Sequence, residues 1–329
     1  MAGFTVSVVI PVFNSAQTLE LCLQTLADSP LEPLECIVVD DASTDDSAAV
    51  ASRHGTRLVQ LDKRAGPARA RNLGAANAQG DVILFLDADV CTHSDTIARV
   101  VDHFEKDSSL DAVIGAYDDS PSDSTFVSQY RNLLHCFTHR TGERRASTFW
   151  CGCGAIRRAT FLRSGGFDES FERSSIEDIE FGARLTAQGG RILLDPQVQV
   201  KHLKKWTFLG MLRTDIFDRG IPWTRLILRS GSMPNDLSLR ANQRASIVAA
   251  AISLPMMLSG YSAMALACAV LCVALNADFY RFLAVHRGAL FAICAAPLHV
   301  LFFLYSGIAF IAGAIVHVVS PVPHHRGAG

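Results

Sequence analysis

The 329-residue sequence lacks several features that would assign it quickly, and each absence excludes a class of protein. It has no CxxC pair and no cluster of cysteine with histidine. Its nine cysteines are scattered, and Cys268, Cys272 and Cys294 sit inside apolar runs, as reduced thiols packed like small hydrophobes do. A disulfide scaffold and a zinc ribbon are excluded, and a cytosolic setting for the soluble part is expected. The start, Met1-Ala2-Gly3-Phe4-Thr5, has no basic stretch, and the short apolar run Val6 to Val12 reads as a strand, so no cleaved signal is expected. Charge of one sign is also missing: the net charge is −2, and nothing at that level points to nucleic acid. After the first strand there is no GxGxxG but Pro11-Val12-Phe13-Asn14-Ser15, which excludes a dinucleotide-binding oxidoreductase. From Ala245 onward acidic residues vanish except for Asp278.

That last absence divides the chain. Before it, β-branched runs alternate with helical patterns. Strands are expected at Val6–Val12, Cys36–Asp40, Arg57–Leu61 and Val82–Leu86, with helices at Thr18–Ala27, Asp45–Arg53, Ala68–Ala78 and Asp95–Lys106. The strands are nearly continuous apolar runs, as in a parallel sheet covered on both faces. From about Ala112 to His202 the pattern is mixed, with candidate strands Phe149–Cys153 and Ile192–Leu194 and a helix Ile176–Gln188 ended by Gly189-Gly190. This stretch is read as the acceptor half of the same domain.

Beyond it, Trp206 to Arg229 places Trp206, Phe208, Leu209, Leu212, Ile216 and Phe217 at helical spacing among arginines, the pattern of a membrane-surface helix. Two apolar stretches follow, Ser246–Leu275 and Ala289–Val319, each longer than the roughly twenty residues that cross a bilayer. Ser259-Gly260-Tyr261 is a candidate break in the first, so two or three spans are expected. Arg281 and Arg287 between the stretches favour the cytoplasmic side by the positive-inside tendency. The expected division is a catalytic domain over 1–204, juxtamembrane helices over 205–244 and transmembrane helices over 245–329. The expected location is a multi-pass one in the inner membrane, with the catalytic domain facing the cytoplasm.

In open α/β sheets, ligands gather beyond the carboxyl ends of the strands. Those ends here carry Pro11-Val12-Phe13-Asn14, Asp40-Asp41-Ala42-Ser43 and Asp87-Ala88-Asp89. Two carboxylates separated by one residue at a strand end can share a hard divalent cation such as Mg²⁺ or Mn²⁺, which takes oxygen ligands and fills its shell with phosphate and water. Carboxylates crowded at one edge repel unless a cation is present, which also favours a metal. Ser43 or Thr44 is expected to cap the following helix.

The series Val8-Val9-Ile10-Pro11-Val12-Phe13-Asn14, Val38-Val39-Asp40-Asp41-Ala42-Ser43-Thr44-Asp45, Gly66-Pro67-Ala68-Arg69-Ala70-Arg71-Asn72, Asp87-Ala88-Asp89 and Glu177-Asp178 resembles the family 2 glycosyltransferases of GT-A fold, in the family's order across about two hundred residues. The resemblance implies an α/β fold of the Rossmann-like nucleotide-diphospho-sugar type. It also implies inverting transfer from a UDP- or GDP-sugar, with Pro11 and Asp41 near the base and ribose, Arg71 near the diphosphate, Asp87 among the nucleotide-sugar contacts and Asp89 on the metal. Asp178 matches the second position of the family's ED motif and is the expected general base. His202 is a further candidate for the metal or the diphosphate. Processive members carry QxxRW hereabouts. This chain has Leu203-Lys204-Lys205-Trp206, which favours transfer of one sugar. With the apolar tail, the expected acceptor is a membrane lipid or a lipid-linked group such as a polyprenyl phosphate, and Lys201, Lys204 and Lys205 are expected against anionic lipid or phosphate. The alternative is a membrane scaffold that binds nucleotide-sugars without catalysis. In Cys151-Gly152-Cys153-Gly154 the glycines are expected to let substrate approach closely, and no catalytic cysteine is expected.

Overall fold

A computed structural model describes residues 3–231, 233 and 237–320. The last nine residues of the expected membrane region, 321–329, lie outside the described residues. The chain divides into two compact units, one ending at Trp206 and the other beginning at Thr207.

The first unit runs β1 (Val6–Val12), α1 (Ala16–Ala27), β2 (Glu35–Asp40), α2 (Ser47–Arg53), β3 (Arg57–Gln60), α3 (Pro67–Asn77), β4 (Val82–Leu86), β5 (Val90–Thr92), α4 (Thr96–Lys106), β6 (Ala112–Tyr117), α5 (Phe126–Arg140), β7 (Arg145–Ala146), β8 (Cys153–Arg157), α6 (Arg158–Arg163), α7 (Glu177–Ala187) and β9 (Ile192–His202). Among the described residues the strands form one sheet in the order β3-β2-β1-β4-β8-β6-β9-β5, with β7 added on β9. The first four are parallel, and β8 enters antiparallel to both β4 and β6. The expected parallel half is therefore present, and the complete sheet is mixed.

Every residue of β4 is buried, as the unbroken run Val82-Ile83-Leu84-Phe85-Leu86 requires of a central strand. Behind its carboxyl end five phenylalanines, Phe85, Phe149, Phe161, Phe167 and Phe181, pack mostly tilted or edge-to-face with centroids 5.0–6.3 Å apart. This cluster gives the strand end that carries Asp87 and Asp89 a rigid floor.

Two expectations for the mixed region are corrected. The strand begins at Cys153 and not Phe149, because Phe149 and Trp150 turn into the core and Cys151-Gly152 form a turn. The candidate strand at Ile192–Leu194 is the start of an eleven-residue one that continues to His202.

The second unit contains α8 (Phe208–Arg213), a π-helical turn (Thr214–Gly220), α9 (Ile221–Ser230), a 3₁₀ turn (Leu237–Leu239), α10 (Ala241–Leu258), α11 (Ser262–Leu275), α12 (Ala277–Arg287) and α13 (Ala289–Val319). The helical spacing read over Trp206–Arg229 is matched by an unbroken helical run from Phe208 to Ser230, widened to a π-turn over Thr214–Gly220. Pro222 cannot donate to the carbonyl four residues earlier, and the wider π-turn ends just ahead of it. Trp206 itself is buried in the first unit, its backbone N–H donating to Ser128 Oγ at 2.7 Å.

The break at Ser259-Gly260-Tyr261 is present, with Gly260 at φ +84, a conformation glycine adopts without strain. It leaves α11 with 14 residues, about 21 Å of helix against a hydrocarbon core of about 30 Å. Among the described residues α13 alone is by itself long and apolar enough to cross a bilayer. Helices α11 and α12 pass that test only together, with a 69° bend between them. By length and composition the described residues thus offer one or two candidate spans, where two or three were expected. The unit's own core joins Ala249, Ala250, Cys272 and Phe303.

Candidate functional site

The turns after β1 and β2 are tied to each other. Asn14, at φ +48, accepts the Thr44 N–H on Oδ1 at 2.7 Å, and its own N–H donates to Ser43 Oγ at 3.0 Å. Ser43 and Thr44 therefore do not cap α2. The N-cap is Asp46, and Asp45 just ahead of it accepts the N–H and hydroxyl of Ser47 on Oδ1. Pro11 is half-buried in β1, opposite Val39 of β2.

Asp41 is 4% exposed, and its two oxygens accept the N–H groups of Ala65 at 2.7 Å and Gly66 at 2.9 Å. Gly66 opens α3 at φ +91, and a Cβ there would stand 2.5 Å from the carbonyl oxygen of Glu172, so only glycine fits. Asp40 accepts from the Ser43 N–H at 3.0 Å and from Gln60 at 3.4 Å. The crowding that favoured a metal is thus relieved at Asp40 and Asp41 by amide donors.

At Asp87 it is relieved by Arg71. That guanidinium, rising from the first turns of α3 and 4% exposed, donates to Asp87 Oδ1 at 2.7 Å and to Glu177 Oε1 at 2.9 Å. Glu177 also accepts the Ser175 N–H at 2.8 Å. A buried fork between two carboxylates is what arginine, and not lysine, can provide. Asp178, the next residue on α7, is half-buried and accepts N–H groups from Ile179 at 2.8 Å and Cys151 at 3.3 Å. It sits in the first turn of α7, at the helix end whose free N–H groups attract negative charge.

Asp89 faces His202, at the end of β9, with Oδ2 3.6 Å from Nε2. The two are brought together because β5 pairs antiparallel with β9, Val90 opposite His202. Burial drives the Asp89 carboxyl up, but the neighbouring His202 and Lys204 side chains outweigh it and hold it below its ordinary value. The ring is held from behind by Asn132, whose Oδ1 lies 2.6 Å from Nδ1, and is stacked on Tyr117.

Among the described residues no three His, Cys, Asp or Glu side chains converge as a ready metal cage. Two do here, and their spacing suits one shared ion: metal–ligand bonds of about 2.0–2.2 Å on each side reach across 3.6 Å without either side chain moving.

The structure thus links Asp87, Arg71, Glu177 and Asp178 into one chain of neighbours, and pairs Asp89 with His202. Asn132 and Tyr117 went unnoticed in the sequence because nothing local marks them; only the sheet order brings them to His202. Of the lysines, Lys201 donates to the Ser120 carbonyl at 2.7 Å, Lys205 stands 4.0 Å from Asp123, and Lys204 lies over the Trp206 ring at 4.3 Å. A Cβ on Gly152 would meet the Trp150 indole at 2.4 Å, so the close approach expected for substrate is to that ring. Burial pushes the Cys151 thiol well up, which fits an inert cysteine.

A mixed α/β sheet with polar and acidic turns at the carboxyl ends of β1, β2 and β4 defines a GT-A nucleotide-sugar transferase fold. Residues 7–165, a little under half of the chain, match the model of glycosyl transferase family 2. It is 34% identical over 193 residues to undecaprenyl-phosphate 4-deoxy-4-formamido-L-arabinose transferase of Edwardsiella ictaluri, a match covering 52% of this chain and 58% of that protein. The chain therefore spans a little over half the length of that relative.

Among solved structures it resembles mannosyltransferase PcManGT of Pyrobaculum calidifontis, determined with GDP-Man and Mn²⁺, at a TM-score of 0.60 and 20% identity over 98% of this chain and 89% of that one. It also resembles residues 1–349 of S. aureus TarS with UDP-GlcNAc, at a TM-score of 0.53 and 18% identity over 96% of this chain and 92% of that one. At such identities the likeness is one of fold.

Proposed function

We propose that the protein transfers a single sugar from a UDP- or GDP-linked donor to a membrane lipid or lipid-linked acceptor, a polyprenyl phosphate among them, with inversion and with the help of Mg²⁺ or Mn²⁺. The observation that carries this reading is Arg71, one guanidinium joining Asp87 of the Asp-Ala-Asp turn to Glu177 beside Asp178. It draws the donor-side acids and a separate carboxylate, about ninety residues apart in sequence, to one place.

In this reading Pro11 and Asp41 border the base and ribose, with Asp41 also holding the loop that opens α3. Asp87 faces the donor. Arg71 has both arms of its fork engaged and works from behind Asp87, fixing the acids that meet the diphosphate. Asp89 and His202 would hold the cation, which when bound neutralises the departing diphosphate. Asp178 takes the proton from an acceptor hydroxyl as its oxygen attacks the anomeric carbon from the face opposite the leaving group. An acceptor phosphate is already ionised at neutral pH, and toward it Asp178 aligns more than it deprotonates.

The chain's division into a catalytic part over 1–204, an interfacial part over 205–244 and a membrane part over 245–329 belongs to the same proposal, as does a cytoplasmic-facing catalytic domain. The relative's undecaprenyl-phosphate acceptor supports a lipid substrate.

The test is donor turnover by detergent-purified protein with Mn²⁺ and a lipid extract as acceptor source, the product read by mass spectrometry. Asp89→Ala abolishes transfer, and Asp178→Asn lowers kcat on an alcohol acceptor by about 10²–10⁴-fold. Wild-type turnover in either variant would overturn the assignment.

A further inference from the structure

Asn132 lies on α5, an element that supplies none of the family motifs, and its side chain is 2% exposed. Its amide oxygen stands 2.6 Å from His202 Nδ1. An amide oxygen can only accept, so Nδ1 carries a hydrogen, and Nε2 is left as the ring nitrogen that faces Asp89 Oδ2, 3.6 Å away, and that can give its lone pair to a cation. Tyr117 fixes the remaining freedom of the ring: the two rings stack with centroids 4.1 Å apart and planes 9° from parallel.

The other half of the same amide sharpens the point. Among the described residues the buried Asn132 Nδ2 has no hydrogen-bond partner. An unsatisfied buried donor destabilises a fold, so an apolar side chain of similar size would sit there more comfortably. The side-chain hydrogen bond that the asparagine does make goes to the imidazole.

We infer that Asn132 is a positioning residue for the cation: its amide oxygen selects the His202 tautomer that offers Nε2 toward Asp89. This rests on the reading of Asp89 and His202 as the cation's protein ligands. Residues that hold a ligating histidine from behind typically change metal affinity by about 10–100-fold when removed.

The experiment titrates full-length protein in detergent with Mn²⁺, alone and with UDP or GDP, reading affinity by electron paramagnetic resonance and nitrogen coordination by electron spin-echo modulation. Asp89→Ala and His202→Ala set the baseline, with the nitrogen signal absent in the second. Asn132→Leu is expected to bind Mn²⁺ about 10–100-fold more weakly and to lose most of the nitrogen signal, without a lower Tm. Asn132→Asp keeps an acceptor of the same shape and is expected to retain the signal and an affinity within about threefold of wild type.

Wild-type affinity and a full nitrogen signal in Asn132→Leu would overturn the inference. So would an Asn132→Asp protein that is folded but binds as weakly as the leucine variant, or an Asn132→Leu protein whose only defect is a large loss of Tm. If Asp89→Ala and His202→Ala both bind Mn²⁺ as wild type does, the cation seat itself is wrong, an outcome distinct from failure of the asparagine variants alone.

Discussion

Arg71 shows how much one side chain decides at this site. It is buried between Asp87 and Glu177, and a lysine in its place can neutralise only one of them. Arg71→Lys is therefore expected to destabilise the first unit by about 3 kcal/mol, as breaking a buried ion pair does, and to cut transfer sharply. Thermal unfolding and turnover of the same preparation check both. The cysteines make the opposite prediction. Burial pushes Cys153 up to about 12 and Cys151 well above its ordinary value, so neither is a thiolate at pH 8. Iodoacetamide at that pH should leave native activity intact while labelling both thiols after unfolding. At this scale the motif residues were legible in the sequence and their partners were not. Asp41 reads as a free acceptor until Ala65 and Gly66 are seen to occupy it. Ser43 and Thr44 read as helix caps until Asn14 is found across the turn.

Elements were legible where one periodicity ruled. Strands β1 to β4 and helices α1 to α4 lie within two residues of expectation, because β1, β4 and most of β2 are buried on both faces and each helix is buried on one side, while the edge strand β3 is a short run. Helix α5 was not foreseen. It buries Gln129, Arg131, Asn132 and His139 together with Tyr130, Leu133, Leu134 and Cys136, so polar and apolar residues share its inner face and no clear stripe remains. The start of α3 offers a test at this scale. At Gly66 a side chain needs both a positive φ and space that the Glu172 carbonyl already fills. Gly66→Ala should cost at least about 1–3 kcal/mol from the backbone conformation alone and loosen the loop that Asp41 grips. A lowered Tm, together with weaker nucleotide binding, is the expected pair of results. A variant as stable as wild type would contradict the geometry.

The whole molecule is two units of different character. The first has its own sheet and aromatic core, and a fragment ending at Trp206 should be soluble, fold cooperatively and bind UDP or GDP in the presence of Mn²⁺. Circular dichroism and calorimetry would show this, and an aggregated fragment would argue that the sheet needs the rest of the chain. The second unit carries α13, about 46 Å of apolar helix, enough to cross a bilayer with tilt. Arginine placed at Ile308, which is exposed near the middle of that helix, should weaken membrane partition of the full chain while leaving nucleotide binding in place.

The sequence by itself determined the parallel half of the sheet, the acidic strand ends and the apolar tail, because each is written in neighbouring residues and their spacing. Only the tertiary structure decided which carboxylates are already satisfied, that Arg71 links Asp87 to Glu177, and that Asn132 and Tyr117 hold His202. Those pairings join residues 16 to 106 positions apart, and sheet order, not local pattern, sets which of them meet.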